Sequence, residues 1–300
     1  MTGGGTCGKL KQEGINAPVL PRRDGYAVAY KLIALDLDDT LLNADSEISP
    51  RNREAIRRVA ERGIGVTLAT GRMYRSALRY ARELAIDLPL ILYQGAMIRE
   101  AASGTMLRYR PVPMDLTVDV LRLAAAENYH INLYIDDQLY IGQETDESRH
   151  YQAIAPFPVQ SVGDLCAFLA RQAMEPTKLS IINLDGRLPD LELFLRSKYA
   201  GRLTILQSLP HFLEITSVEA TKGQALKHLG ELQNIRMDEI VAIGDNYNDI
   251  DMLRLAGMGV AMANAPAAVK EAADLITASN LEDGVALFLE CYILNGQHGY

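Results

Sequence analysis

The sequence predicts an α/β protein, a doubly wound parallel sheet with an inserted α+β domain. Three observations predict it. Short apolar runs bounded by polar residues recur at Lys31–Leu37, Ile64–Ala69 and Glu239–Ile243, as strands buried on both faces require. Capped helical stretches lie between such runs, giving strand–helix–strand units. From about Pro113 to Leu209 the pattern changes to mixed helices and strands, without the polar clusters that end the other runs.

The elements follow in order. Lys31–Leu37 is the first strand. Ser49-Pro50 opens a helix, with a side-chain cap and proline at the first helical position. Ile56, Val59 and Ala60 give that helix an apolar stripe, and Gly63 closes it. Ile64–Ala69 is the second strand, and residues 72–85 are helical. Leu90–Tyr93 is a third strand, and Ala96–Tyr109 a hairpin-like addition. The insert then brings helices at Leu116–Glu127 and Leu191–Lys198, and strands at Ile131–Ile135, Lys178–Leu184 and Leu203–Gln207. Phe212–Ile215 resumes the parallel pattern. Thr221 and Gln224 have capping-box spacing for a helix Lys222–Leu232. Glu239–Ile243 is a strand, Ile250–Ala256 a helix, and Gly259–Met262 and Leu275–Ile276 are short further strands. The expected organisation is an N-terminal extension over 1–27, a core built from 28–112 and 210–300, and an insert over 113–209. The glycine- and proline-rich extension is expected to be loosely ordered.

Composition bounds the partners. The chain has 300 residues, 48% hydrophobic and 23% charged, with a net charge of −8. That size and composition suit two globular domains. The acidic balance argues against nucleic acid, which needs a basic surface. It leaves room for a small anionic substrate held by local donors and a cation. The three cysteines, Cys7, Cys166 and Cys291, form no CxxC pair and suit a reducing, cytoplasmic compartment. Cys166 and Cys291 are expected in the core. No run is long and apolar enough to span a membrane, and the N-terminus lacks a signal peptide's apolar segment. His130, His150 and His211 read as structural or surface residues. Nothing fixes the oligomeric state.

Four polar clusters stand where strands end or the next helix begins, the place where open parallel sheets bind ligands. Asp36-Leu37-Asp38-Asp39-Thr40 packs three acids that repel unless a cation joins them; alone it is equally a solvated turn. Thr70-Gly71-Arg72 offers a hydroxyl and a close-approach amide to an anion, although an ordinary helix cap looks the same. Lys222, beside Gly223, begins a helix where the dipole disfavours a cation, so an anion is a reason for it to be there. Gly244-Asp245-Asn246-Tyr247-Asn248-Asp249 supplies hard oxygen ligands of the kind magnesium takes, or an Asx turn. Their joint placement carries more weight than any one of them.

In this order the clusters resemble the haloacid dehalogenase-like hydrolases: DxDxT, a Thr or Ser after the second strand, a Lys, then GDxxxD. The forms Ala69-Thr70-Gly71-Arg72 and GDNxND, with a long insert between the second and third motifs, resemble the Cof-type phosphatases with a type IIB cap, across about Lys31 to Cys291. Two positions depart: Asp39 stands for the usual Gly, and Gln94 for Asn in an Asn-Gly-Ala stretch. The resemblance implies a Rossmann-like core with a cap, and a Mg²⁺-dependent phosphoric monoester hydrolase acting on a small phosphorylated metabolite, a sugar phosphate or a related phosphomonoester. It implies Asp36 as nucleophile and Asp38 as general acid and base. Thr70, Gly71, Lys222 and Asn248 bind phosphate or substrate. Asp36, the backbone carbonyl of Asp38, and Asp245 hold the metal, with Asp249 in support. The chemistry agrees: a carboxylate attacking a phosphate dianion needs charge neutralisation, and an alkoxide leaving group needs a proton. A phosphomutase and a non-catalytic binding protein on the same fold are the alternatives.

Overall fold

The computed structural model describes residues 29–295 except 156 and 173, together with the paired dipeptides β1 (Arg22–Arg23) and β2 (Tyr26–Ala27). The remainder of the expected loose extension lies outside the described residues. The chain divides into two compact units, Met1–Leu107 with Thr221–Tyr300, and Arg108–Ala220.

The first unit is the doubly wound layer. Strands β3 (Leu32–Leu35), β4 (Gly65–Leu68), β14 (Ile240–Gly244), β15 (Met258–Ala261) and β16 (Leu275–Ile276) form one parallel sheet in the order β16-β15-β14-β3-β4. A bridge from Ala69 to Ile91 carries the parallel pairing on to β5 (Leu90–Leu92), which opens a small three-stranded sheet with β6 (Met97–Arg99), its antiparallel neighbour, and β7 (Met106–Tyr109). Every residue of β3 and β14 is buried, which explains their unbroken apolar runs. Leu32, Ala34, Ile240 and Ala242 pack with Leu226 and Leu229 of the helix Lys222–Gln233 and with Met252 and Leu253 of the helix Ile250–Leu255. The helix Pro50–Ala60 starts as expected, the Ser49 hydroxyl accepting from the Asn52 amide at 3.1 Å, a cap worth about 1 kcal/mol. β3 lies between β14 and β4, so the chain leaves it toward both edges of the sheet. The crevice such a switch leaves at the carboxyl ends of the strands is where side chains can meet a ligand.

The second unit holds a six-stranded sheet. Its strands are β8 (His130–Ile135), β9 (Gln138–Ile141), β10 (Val159–Ser161), β11 (Lys178–Ile182), β12 (Leu203–Leu209) and β13 (Phe212–Ser217), in the order β10-β9-β8-β11-β13-β12. All neighbours are antiparallel except β9 and β10. Alternation sorts the side chains. Ile131, Leu133, Ile135, Leu179, Ile181, Leu213 and Ile215 join the helices Met114–Ala126 and Leu188–Lys198 in the unit's hydrophobic core.

Two expectations are corrected here. Phe212–Ile215 does not resume the parallel sheet: it pairs antiparallel with β11 and β12, so the second unit extends to Ala220 rather than residue 209 and begins at Arg108 rather than 113. A strand buried on both faces carries no mark in its sequence of the sheet it joins. Cys166 and Cys291 are half-buried rather than in the core. Cys166 packs on the rim of the second unit's core, and Cys7 lies outside the described residues.

Candidate active site

The four clusters meet within the first unit, at the carboxyl ends of β3, β4 and β14. Asp36 follows β3 directly, its amide donating to Ile243 O of β14 at 3.0 Å. Lys222 is the first residue of its helix, and Thr221 caps that helix by accepting the Gln224 amide at 3.2 Å. The cap fixes where the helix begins and so where Lys222 points. Its Nζ donates to Asp36 Oδ1 and to Asp249 Oδ1, both at 2.6 Å, across 186 and 27 positions of chain. All three side chains are buried.

Asp249 organises the turn after β14. Its Oδ2 accepts the amides of Asp245 at 3.0 Å and Asn246 at 2.9 Å while Oδ1 takes Lys222. Gly244 makes this possible, since a Cβ there would lie 2.5 Å from the Asp249 carboxyl carbon. Asp245 is held from the other side by the Thr40 hydroxyl, which donates to Oδ1 at 2.7 Å.

One oxygen each of Asp36, Asp245 and Asp249 lies within 4.8 Å of the others. Asp36 and Asp245 each use one carboxylate oxygen in these bonds and keep the second for a cation; both oxygens of Asp249 are engaged. Three carboxylates against one ammonium leave two negative charges in a buried place. The charge states show that load. Burial raises the Asp36 carboxyl well above its ordinary value, Lys222 opposes this, and Asp249 and Asp245 add to it. Burial pushes Asp245 up to about 6, with Thr40 opposing and Asp249 adding. Burial works against the Lys222 ammonium, but Asp249 and Asp36 outweigh it and hold the charge. A hard divalent cation fits both the donor set and the missing charge.

Around the acids stand groups suited to an anion. Thr70 is fully buried and its amide donates to Ile91 O at 2.9 Å; its hydroxyl accepts from the Arg72 amide at 3.1 Å. A Cβ on Gly71 would fall 2.4 Å from Gln94 Nε2, so glycine admits the Gln94 carboxamide. Gln94 Oε1 accepts from Asn248 Nδ2 at 2.7 Å, and Asn248 Oδ1 is buried without a partner. Asp38 stands apart from the acid cluster, its side chain 54% exposed. Arg72 grips it: Nε donates to Oδ2 at 2.9 Å and Nη2 to Oδ1. The guanidinium is braced by the Tyr80 hydroxyl at 3.2 Å and lies 5.2 Å from the centre of that ring.

The structure thus brings Asp36, Lys222, Asp245 and Asp249 together, and sets Asp38 at an exposed edge against Arg72. Sequence reasoning missed the parts played by Thr40, Arg72 and Gln94. Thr40 and Arg72 stood inside the motifs, but their partners are 205 and 34 positions away. Gln94 announced itself only as a departure from the family pattern. Its φ of 59° and that of Tyr93, 50°, mark a backbone held in the left-handed region, where local strain accompanies function. Gly95 follows at φ 96°, and a Cβ there would sit 2.1 Å from Thr221 O, so the loop can press against the start of the Lys222 helix only with glycine.

The family profile for haloacid dehalogenase-like hydrolases matches residues 33–289. The chain is 31% identical to the 5-amino-6-(5-phospho-D-ribitylamino)uracil phosphatase YitU of Bacillus subtilis over 87% of this chain and 97% of the relative. It is 30% identical to the pyridoxal phosphate phosphatase YbhA of Escherichia coli over 88% and 99%. A haloacid dehalogenase-like hydrolase from Bacteroides thetaiotaomicron superposes with a TM-score of 0.78 at 34% identity, covering 87% of this chain and 98% of that one. The chain therefore belongs to the haloacid dehalogenase-like hydrolases, in their Cof-type branch. Within it the chain is a phosphoric monoester hydrolase.

Proposed function

We propose that the protein is a Mg²⁺-dependent phosphatase that releases phosphate from a small phosphorylated metabolite through an aspartyl-phosphate on Asp36. The observation that carries this reading is the buried contact of Asp36 with Lys222, beside Asp245 and Asp249. It sets a nucleophile, a fixed cation and spare acid oxygens at one strand end.

Mg²⁺ held by Asp36, the backbone carbonyl of Asp38 and Asp245 would neutralise the phosphate and polarise its oxygens. The chain's own groups do the rest. Lys222 favours the ionised form of Asp36 against burial, which a cation would assist, and takes one phosphate oxygen. Thr70, Gly71 and Asn248 receive the others. Asn248 and Gln94 each carry a carboxamide that bonds in either direction; with Gln94 Nε2 donating to Asn248 Oδ1, the Asn248 amide turns its donor toward the phosphate. Asp36 attacks phosphorus as the bond to the leaving oxygen breaks, and Asp38 delivers the proton that oxygen needs. Asp38 then takes a proton from the water that attacks the acyl phosphate, which frees inorganic phosphate and restores Asp36. Arg72 holds the Asp38 carboxylate through two hydrogen bonds, so Asp38 must leave that contact and take up a proton before it serves as acid, help that contributes roughly 10²–10⁴-fold. The Ala69-Thr70-Gly71-Arg72 and GDNxND forms favour hydrolysis over a phosphomutase, and the presence of every expected catalytic residue favours catalysis over a purely binding role.

The test is phosphate release from a panel of sugar, polyol, pyridoxal and flavin-precursor phosphates with Mg²⁺ and no bisphosphate activator, with Asp36→Asn as the blank. The expected result is turnover by the wild type and none by the folded variant. Full activity in Asp36→Asn would mean a different nucleophile. A requirement for a bisphosphate, with product isomer in place of phosphate, would mean a mutase.

A further inference from the structure

We propose that Gln94 is a positioning residue of the anion site: its carboxamide holds the Asn248 amide and sets which end of it faces a bound phosphate. The inference deepens the phosphatase reading and rests on it for the identity of the anion.

Gln94 sits in the loop Tyr93–Gly95, where three consecutive residues hold left-handed backbone, at φ 50°, 59° and 96°. Glycine adopts such angles freely, whereas a tyrosine and a glutamine adopt them at a cost. A segment keeps that strain only where its surroundings over-determine it, and here they do. The Tyr93 amide donates to Arg72 O at 3.2 Å and the Gln94 amide to Thr70 O at 3.1 Å. Gly95 lies against the start of the Lys222 helix, where a Cβ would fall 2.1 Å from Thr221 O. The Gln94 side chain completes the set, its Oε1 accepting from Asn248 Nδ2 at 2.7 Å across 154 positions of chain. One three-residue loop thus touches three of the four polar clusters, those of Thr70, Lys222 and Asn248.

The link is close on one side and incomplete on the other. A Cβ on Gly71 would lie 2.4 Å from Gln94 Nε2 and 2.9 Å from Gln94 Cδ, so the carboxamide is packed against the backbone that follows Thr70. On the far side, Asn248 Oδ1 is buried and has no hydrogen-bond partner. Asn248 adjoins Asp249, whose carboxylate bonds Lys222, and through Gln94 it is tied to Gly71 and Thr70. The unpaired atom therefore belongs to the neighbourhood of the anion-binding groups.

A carboxamide has an acceptor at one end and donors at the other, so the bond between the two amides survives if both are turned over. Gln94 Nε2 then donates to Asn248 Oδ1, and the atom left over on Asn248 becomes its Nδ2. In the first sense Asn248 presents a carbonyl, which repels an anion. In the second it presents an N–H, which an anion satisfies. A buried polar atom left unpaired destabilises the site, so an arriving phosphate draws the pair into the second sense. The partner of Asn248 must then both donate and accept. Glutamine does so without a charge, glutamate when ionised only accepts, and methionine fills the same length with no donor.

The experiment measures binding and turnover on the full chain. Calorimetry with inorganic phosphate and Mg²⁺ is expected to show binding by wild type. Gln94→Met, which keeps the length and removes the bond, is expected to weaken it roughly tenfold or more. Gln94→Glu is expected to weaken it further, because its carboxylate holds Asn248 in the first sense and adds a negative charge. With p-nitrophenyl phosphate, KM should rise alongside the phosphate dissociation constant while kcat stays within about threefold of wild type. A purely structural role would instead lower the melting temperature and kcat together. Because Gln94 acts through Asn248, Asn248→Ala combined with Gln94→Met is expected to bind phosphate no more weakly than Asn248→Ala alone. Additive losses, unchanged phosphate binding in folded Gln94 variants, or no phosphate binding by wild type overturn the proposal. Phosphate binding that depends on Gln94, with no turnover of any phosphate ester, would sink the phosphatase reading and leave this one standing. Turnover abolished by Asp36→Asn, with KM and phosphate affinity indifferent to Gln94, would do the reverse.

Discussion

The two units bury charge in opposite ways. In the first, Asp36, Asp245 and Asp249 share a single lysine, and the pocket is short of positive charge. In the second, Lys178 and Glu214 balance one another. A buried site with excess charge is unstable alone and is built to receive an ion and a charged reactant. Buried charge is thus in excess in one unit and paired in the other.

The sharpest way to break this contrast is to remove a charge on each side. Asp36→Asn is expected to cost at least about 10³-fold in kcat on every substrate, while Glu214→Gln leaves kcat near that of wild type. Equal losses in steady-state kinetics would erase the distinction. Next in size is Asp38→Ala, with a loss of about 10²–10⁴-fold on alkyl phosphates. The loss should be much smaller on p-nitrophenyl phosphate, whose leaving group needs no proton. A uniform loss across leaving groups would remove Asp38 from the acid role.

Stability should show the same contrast. Asp245→Asn relieves repulsion in the first unit, so the metal-free variant is expected to melt higher than wild type while losing its response to Mg²⁺. Lys178→Met leaves Glu214 buried without its partner and is expected to cost about 1–3 kcal/mol by chemical denaturation, tempered by the partial exposure of the pair. The smallest effect is a pH trend. The Asp245 carboxyl rises from 3.8 to about 6 in the folded, metal-free chain, so protonation favours that state. Its contribution is intact below 3.8 and is lost as pH rises through about 6. A cation binds the ionised form, so the gain in Tm on adding Mg²⁺ should grow between pH 5 and 7.5. A gain that shrinks over that range would show that Asp245 is not a ligand.

Much of this was legible in the written chain. β3, β4 and β14 declared themselves because strands buried on both faces must be apolar throughout, and the acids at their ends stood out against that background. The helix starts at Pro50 and Lys222 were legible because caps are local, as Ser49 and Thr221 show. What was not legible depends on distant partners. Thr40 is an ordinary turn residue until Asp245 is beside it, and Phe212–Ile215 is an ordinary buried strand until β11 and β12 claim it. The strands β9 and β10 and the helices Asp146–Ile154 and Leu165–Leu169 are short, and no polar cluster frames them.

The pairing of β3 with β14 joins residue 32 to residue 240, and everything between, including the whole second unit, is made first by the ribosome. The sheet that carries Asp36 therefore lacks β14 until most of the polypeptide has been synthesised, whereas Arg108–Ala220 has all its strands in hand much earlier. Such long-range pairing slows closure and leaves strand edges exposed in the meantime. During biosynthesis the first unit is therefore the later to complete its sheet and the longer exposed to aggregation, while the inserted unit has all its strands on the growing chain.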